Sequence, residues 1–400
     1  MTPPLYLSPG VIGEVHIANR LVRASTSETM ATAEGTATER LASFYGELAA
    51  GGVGLILTGH IYVETRGQAS ANQLGLYDDS QIPAMRVVTD AVHAAGGVIF
   101  AELGHAGSQT ALTGVDPIAP SVTANAMYGR QPRAMTSDDI NFVIDSFANA
   151  ARRAVDAGYD GIHIHGGNGY LISEFSSPIT NHRTDEWGGS ANRRSRFFLA
   201  VYDAVRSAVG TQTPITARIG LADSIVGGLT IQEGVERAQK LAKRGVDGLE
   251  PTYGIMRSYR ENIPLYVSVN SSQAVKNVLL QRLVRPKATE AHYRAFARAL
   301  KASVTVPIIL VGGIRTTEMM TAILGSGDAD FLAMSRPFIR EPDLVNKLSA
   351  GRTGMVDCVS CNMCLTHDGT DPLRCWRSSP AAVGAHIYTH HIRGRIRKRG

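Results

Sequence analysis

The chain has 400 residues, 44% of them hydrophobic and 19% charged, and no uninterrupted apolar run of about 18, which excludes a membrane-spanning helix. Its start, Met1–Tyr6, lacks the charged and apolar regions of a signal peptide, so a cytoplasmic protein is expected. The net charge of +5 resides in Arg393, Arg395, Arg397, Lys398 and Arg399, so residues 386–400 read as a flexible basic tail and nucleic acid is not expected as a partner.

A first strand is predicted at Arg20–Ala24. One local pattern then recurs, in which a helix ends in glycine as its C-cap and a short apolar strand follows. It appears at Ala50-Gly51-Gly52 before Val53–Leu57, at Ala95-Gly96-Gly97 before Val98–Ala101, and at Ala157-Gly158 before Gly161–His165. It returns at Arg244-Gly245 before Val246–Glu250 and at Ser326-Gly327 before Ala329–Met334, and Pro214–Ile219 and Val306–Val311 complete a set of eight strands. Between them lie amphipathic segments such as Phe142–Ala157 and Ile231–Arg244, and a further helix opens at Ser190. Continuous apolar strands alternating with helices imply a parallel sheet covered on its outer face. Eight such units predict an α/β fold, a (β/α)₈ TIM barrel, with its chemistry at the C-terminal strand ends. A doubly wound sheet is the rival, and the absence of Gly-x-Gly-x-x-Gly after the first strand counts against it. The predicted organisation is a barrel over residues 1–350, a small cysteine-containing extension over 351–385, and the tail.

The strand ends carry the candidate chemistry. The turn after strand four holds His165, Asn168 and Tyr170: the first two can donate hydrogen bonds to one oxygen, and Tyr170 can deliver a proton nearby. His163 shares a face with His165, one pleat deeper, and reads as a packed core histidine. Arg218 lies inside the apolar strand Ile215–Ile219, where a guanidinium must face an anion or a dense set of acceptors. Gly312-Gly313 and Ser335-Arg336 end strands seven and eight, where paired loops of a barrel form a phosphate site from backbone N–H groups and a cation.

His165, Asn168, Gly169, Tyr170 and Leu171, followed by Ser177, Pro178, Asn181, Arg183, Asp185, Gly188 and Gly189, resemble the signature of the old yellow enzyme family of flavin-dependent oxidoreductases. The resemblance covers roughly the first 350 residues and implies an FMN-binding barrel with NAD(P)H as hydride donor. Asn19–Arg23 is similar to the family's opening motif, so Ala24, Ser25 and Thr26 are expected against the flavin, although a capped turn suits Ser25 and Thr26 equally. Gly59 stands where the family keeps a small residue near the ring. Glu102-Leu103-Gly104-His105-Ala106-Gly107-Ser108 looks like the family's Gln-Leu-x-His-x-Gly-Arg, with Glu102 and Ser108 as departures. An ionised Glu102 can only accept hydrogen bonds, and its charge would oppose an anionic reduced flavin. His105 reads as structural. The resemblance places Arg218 beside the flavin, with a structural ion pair as the alternative, and Gly312, Gly313, Ser335 and Arg336 at its phosphate. It makes His165 and Asn168 the pair that holds a substrate oxygen, with His165 also against the flavin, and Tyr170 the acid.

Cys358, Cys361, Cys364 and Cys375 are the only cysteines, spaced C-x2-C-x2-C-x10-C, which suggests a metal site rather than disulfides. Zinc and a [4Fe–4S] cluster both fit four cysteines, and an empty site is the third reading. The spacing is similar to the branch typified by trimethylamine dehydrogenase and dienoyl-CoA reductase, which favours the cluster. Those relatives continue into nucleotide-binding domains, which are not expected in a chain ending at Gly400. The predicted function is hydride transfer from NAD(P)H through FMN to an α,β-unsaturated carbonyl or similar small-molecule acceptor. The alternative is a flavin/iron–sulfur dehydrogenase that passes electrons from a small substrate to a partner protein. A homo-oligomer is left open.

Overall fold

The structure, a computed structural model, describes residues 3–125, 128–256, 290–364 and 372–388. Eight strands form the barrel: β1 Leu21–Arg23, β2 Leu55–Leu57, β3 Ile99–Gly104, β4 Gly161–Gly166, β5 Ile215–Ala222, β6 Gly248–Tyr253, β7 Ile309–Val311 and β8 Phe331–Met334. They are hydrogen-bonded in the order β6-β5-β4-β3-β2-β1-β8-β7, and a parallel bridge between Leu249 and Ile308 returns β7 to β6 and closes the ring. Around it lie α1 Glu39–Ala50, α2 Ile82–Ala94, α3 Ser137–Asp156, α4 Leu171–Ser176, α5 Ala191–Val209, α6 Ile231–Lys243, α7 Arg294–Lys301 and α8 Thr317–Gly325. After β8 come α9 Arg336–Arg340, α10 Leu344–Ser349 and α11 Pro380–His386. The (β/α)₈ TIM barrel with a small cysteine-containing extension is therefore the fold.

Local chemistry explains where the elements begin. Helix α3 starts at Ser137, before the predicted Phe142, because Thr136 and Asp139 form a capping box and Asp138 adds an acid to the first turn. Helix α6 begins at the predicted Ile231 with the same device, Thr230 and Glu233. Glycine closes helices as expected: Gly158 and Gly245 take φ of +91° and +87°, conformations that cost other residues a steric penalty.

Alternation divides the barrel wall. On β4, Ile162 and Ile164 face outward and join Phe147 and Ala150 of α3 and Phe198 of α5 in the main core, while His163 and His165 face inward. The lower interior is apolar: Val22, Leu55, Leu57, Phe100, Ile309, Phe331 and Ala333 pack with Ile12 and Ile17 of an N-terminal hairpin that plugs the barrel. The upper interior is polar. Strand β3 runs past the predicted Ala101 because Glu102 and Leu103 stay paired with His163 and Ile164. Glu102, expected just past the strand, therefore sits inside the wall.

The extension docks on the barrel, with the Leu373 N–H donating to the Glu28 carbonyl at 2.8 Å and Trp376 buried. Most of the predicted basic tail, residues 389–400, lies outside the described residues. No described helix is long and apolar enough to cross a membrane.

Candidate active site

A cavity of about 380 Å³ opens at the C-terminal strand ends. Its walls include Ala24, Ser25 and Thr26 after β1, Glu102 on β3, His165, Asn168 and Tyr170 after β4, Arg218 on β5, Gly312 and Gly313 after β7, and Ser335 and Arg336 after β8. One expected contact is missing. Gly59 lies outside the lining, and its N–H donates to Glu28 Oε1 at 2.7 Å. Glu28 in turn pairs with Arg23 at 3.0 Å and receives the Tyr45 hydroxyl, all buried behind the cavity. A Cβ on Gly59 would collide with Glu28 Oε2, so close packing against that cluster, rather than a ring, accounts for the glycine.

The turn after β4 is built to present donors. Asn168 adopts φ of +61°, a left-handed conformation that asparagine tolerates, and Gly169 follows at +85°. The Asn168 backbone N–H donates to the Tyr253 carbonyl at 2.8 Å, and Gln109 Nε2 donates to the Asn168 carbonyl at 3.1 Å. The Thr252 hydroxyl donates to Asn168 Oδ1 at 2.7 Å, which leaves the amide nitrogen to donate into the cavity. Burial, with Arg218 nearby, pushes the His165 imidazole well below its ordinary range. The neutral ring accepts the Gly167 N–H at Nδ1, 3.4 Å away, so its own proton is on Nε2. Two neutral donors thus serve one space. Tyr170 caps α4 and packs its ring on His165 and His60, with centroids 4.7 and 5.0 Å apart.

The second half of the motif is architectural. Asn181 Nδ2 donates to the carbonyls of Phe175 and Trp187 at 2.7 and 2.8 Å, and Arg183 pairs with Asp185 while reaching the Pro120 and Met135 carbonyls. His105 stays off the cavity, 2.8 Å from Glu64.

Strand register assembles the cavity floor. Glu102 lies opposite His163, His165 opposite Arg218, and Arg218 opposite Glu250. Arg218 places Nη1 3.0 Å from Glu102 Oε1 and Nη2 2.7 Å from Glu250 Oε1. Burial opposes the guanidinium charge, and the two glutamates more than restore it. Burial also pushes Glu102 up to about 7, against the pull of Arg218 and Ser25. The anions that the buried Arg218 required are therefore two carboxylates of the chain itself, and the guanidinium still reaches the cavity wall.

Sequence reasoning missed Glu250, Thr252 and His60, all on the lining. Glu250 was legible as an acid ending an apolar strand, two residues before Thr252 on the same face. His60 carried no such signal, because the fold of the loop after β2 decides its direction. Burial, with Arg218 nearby, lowers His60 to about 4, so it too is neutral.

Residues 7–354 match the model of the NADH:flavin oxidoreductase / NADH oxidase family. The chain belongs to that family. It is 36% identical over 366 residues to an NADH oxidase of Thermoanaerobacter brockii, covering 90% of this chain but 53% of that protein. The chain thus spans about half the length of that relative. A 4,4'-dithiodibutanoate disulfide reductase of Rhodococcus erythropolis is 32% identical over 378 residues, covering 91% of this chain and 93% of that one. The structure of an old yellow enzyme homologue from Zymomonas mobilis superposes with a TM-score of 0.71 at 27% identity, covering 90% of this chain and 96% of that chain.

The family implies FMN, and the cavity suits it. Its walls combine apolar groups for a ring (Ala24, Val311, Ala333, Met334) with Arg218 and Arg336 for anionic ends. Gly312 takes φ of +119°, and a Cβ there would meet the His292 ring at 3.0 Å, so the backbone stays bare where a phosphate needs N–H groups.

The four cysteines line one second cavity of about 20 Å³, room for about one water. Burial raises the Cys358, Cys361 and Cys364 thiols, and neighbouring cysteines add to the rise. Among the described residues, no three His, Cys, Asp or Glu side chains form a ready-made metal-ligand set. Residues 365–371, between Cys364 and Cys375, lie outside the described ones.

Proposed function

We propose that the chain is an FMN-dependent oxidoreductase that reduces an α,β-unsaturated carbonyl or a similar polarised acceptor with NAD(P)H. The observation that carries this reading is the pairing of two neutral donors, His165 Nε2–H and the Asn168 amide, with the Tyr170 phenol in one cavity. FMN, when bound, would supply hydride transfer between the nicotinamide and the acceptor. Ala24, Ser25, Thr26 and Arg218 would hold its ring, and Gly312, Gly313, Ser335 and Arg336 its phosphate. His165 and Asn168 would hold the acceptor's carbonyl oxygen and withdraw electrons from its double bond. Tyr170 would deliver the proton to the carbon beside that carbonyl. Neutral donors suit the task, since they stabilise the developing oxyanion without binding the ground state as a fixed ion pair.

The test is spectroscopic. The purified chain is expected to show flavin absorbance that NADH or NADPH bleaches without oxygen and that 2-cyclohexenone restores. Bound flavin that neither nicotinamide bleaches would reduce the chain to a flavin-binding barrel. Bleaching without recovery on the enone would remove the proposed acceptor class.

One observation favours the second reading, electron exit to a partner protein: Arg336 stands in the wall of both the large cavity and the cysteine cavity. Four sulfur donors suit an iron–sulfur cluster by ligand chemistry, and Cys358, Cys361, Cys364 and Cys375 would have to spread from their present one-water space to hold it. When bound it would supply one-electron transfer.

A further inference from the structure

The cysteine extension walls the large cavity as well as its own. Ser360, buried between Cys358 and Cys361 in the chain, lies on the lining of the large cavity, while the cysteines line the small one. Arg336 stands between the two, and its Nη1 donates to Oδ1 of Asn362, a buried residue between Cys361 and Cys364. The backbone turns sharply at both positions: Ser360 and Asn362 take φ of +54° and +61°, left-handed values that are costly for residues other than glycine and persist where the surroundings hold them. Two anchors outside the cysteines fix the extension in place. The Leu373 N–H donates to the Glu28 carbonyl at 2.8 Å, just beyond the Ser25–Thr26 turn, and Arg340 Nη1 donates to the Arg377 carbonyl at 3.1 Å.

The chemistry of that one hydrogen bond is specific. A guanidinium presents its N–H donors as a rigid planar fork. With Nη1 tied to Asn362, the rest of the Arg336 fork has a fixed direction and is no longer swept about by rotation of the side chain. The partner is also a neutral amide. Arg218 on the cavity floor is the contrast, since two carboxylates hold it and take up its charge. Asn362 orients Arg336 without neutralising it, so the full charge remains for an anion that enters from the large cavity.

We propose that Asn362 is a positioning residue for the flavin phosphate: it aims Arg336 at that phosphate, and the cysteine loop thereby contributes to cofactor affinity through a residue that is not a cysteine. The proposal rests on the flavin reading above, which puts the phosphate at Gly312, Gly313, Ser335 and Arg336. The contribution is preorganisation. An arginine free to rotate loses its rotamers when it grips an anion, whereas one already held at Nη1 has lost them on folding. Removing the hold should weaken the grip on the phosphate and spare the ring, whose expected contacts are Ala24, Ser25, Thr26 and Arg218.

Riboflavin, which has the ring without the phosphate, separates the two effects. The full chain, stripped of flavin, is titrated with FMN and with riboflavin, and quenching of flavin fluorescence reports binding. Asn362→Gly removes the side chain and tolerates the left-handed backbone. It is expected to raise the Kd for FMN about tenfold and to leave that for riboflavin within about twofold, as for the loss of one hydrogen bond to a charged group. Asn362→Asp is expected to weaken FMN at least as much with riboflavin again spared, because a carboxylate on Arg336 takes up the charge the phosphate needs. It carries the comparison should the glycine variant fail to fold. Unchanged FMN affinity overturns the proposal. So do FMN and riboflavin affinities that fall together, which would show a merely structural role. Wild type that binds FMN no more tightly than riboflavin removes the phosphate from Arg336 and overturns the proposal with the flavin reading left standing. Wild type that binds neither flavin defeats the functional reading itself, and the proposal with it.

Discussion

Glu174 ties the two loops that carry the site, and its removal has a calculable effect on stability. It lies in α4, four residues after Tyr170, and is fully buried. Its Oε1 and Oε2 accept the Ser108 N–H at 3.0 and 3.3 Å, and Oε1 also receives the Ser108 hydroxyl. Burial pushes this carboxyl from 4.5 up to about 8, against the pull of both Ser108 bonds. A displacement of that size corresponds to about 5 kcal/mol, reduced to the extent that the site relaxes or admits water when charged. Because the folded value is raised, the fold favours the protonated acid. That stability is fully present below the unfolded value of 4.5 and is lost as pH rises through about 8. Glu174→Gln keeps a side-chain carbonyl to accept from Ser108 and removes the charge. The variant is expected to match wild type within about 1 kcal/mol at pH 5, where the acid is neutral in the fold, and to exceed it by about 2–5 kcal/mol at pH 9. Urea denaturation at both pH values measures the two differences. A variant equally destabilised at both would refute the argument, since Glu174 would then carry the same protonation in the folded and unfolded chain.

Three further expectations follow from the site. Tyr170→Phe preserves the ring contacts with His165 and His60, so flavin reduction should be unaffected while enone reduction slows by about 10²–10⁴; equal oxidative half-reactions by stopped flow would exclude Tyr170 as the acid. Gly59→Ala drives a Cβ into Glu28 and should cost about 1–3 kcal/mol in urea with an unchanged flavin spectrum; an altered spectrum at unchanged stability would return Gly59 to the cofactor. The chain prepared without oxygen should contain iron that Cys364→Ala removes while flavin stays bound; four titratable thiols with neither iron nor zinc would refute a metal at the cysteines.

The eight-strand barrel was legible because each unit repeats the same local physics. Apolar runs such as Val98–Ala101 have no stable place except a sheet covered on its outer face, and glycine after five of the helices supplies the left-handed turn that returns the chain to the sheet. His165, Asn168 and Tyr170 were legible for a related reason: they lie within six residues of one another on one strand end, so a local turn alone brings them together. Arg218 announced itself by its cost, since a guanidinium in an apolar strand demands a partner. The identity of that partner was not legible. Glu102 and Glu250 lie 148 residues apart and meet Arg218 only through the register of β3, β4, β5 and β6, which closure of the barrel sets. Gly59 shows the reverse case, where a motif position is occupied by the expected small residue for a different reason, the buried Glu28 behind it. Composition and periodicity determine which residues must be covered and where the chain turns. Which buried charges face each other is decided only when distant strands align, because the electrostatic cost of a buried carboxylate depends on what stands within a few ångströms and not on what is adjacent in the chain.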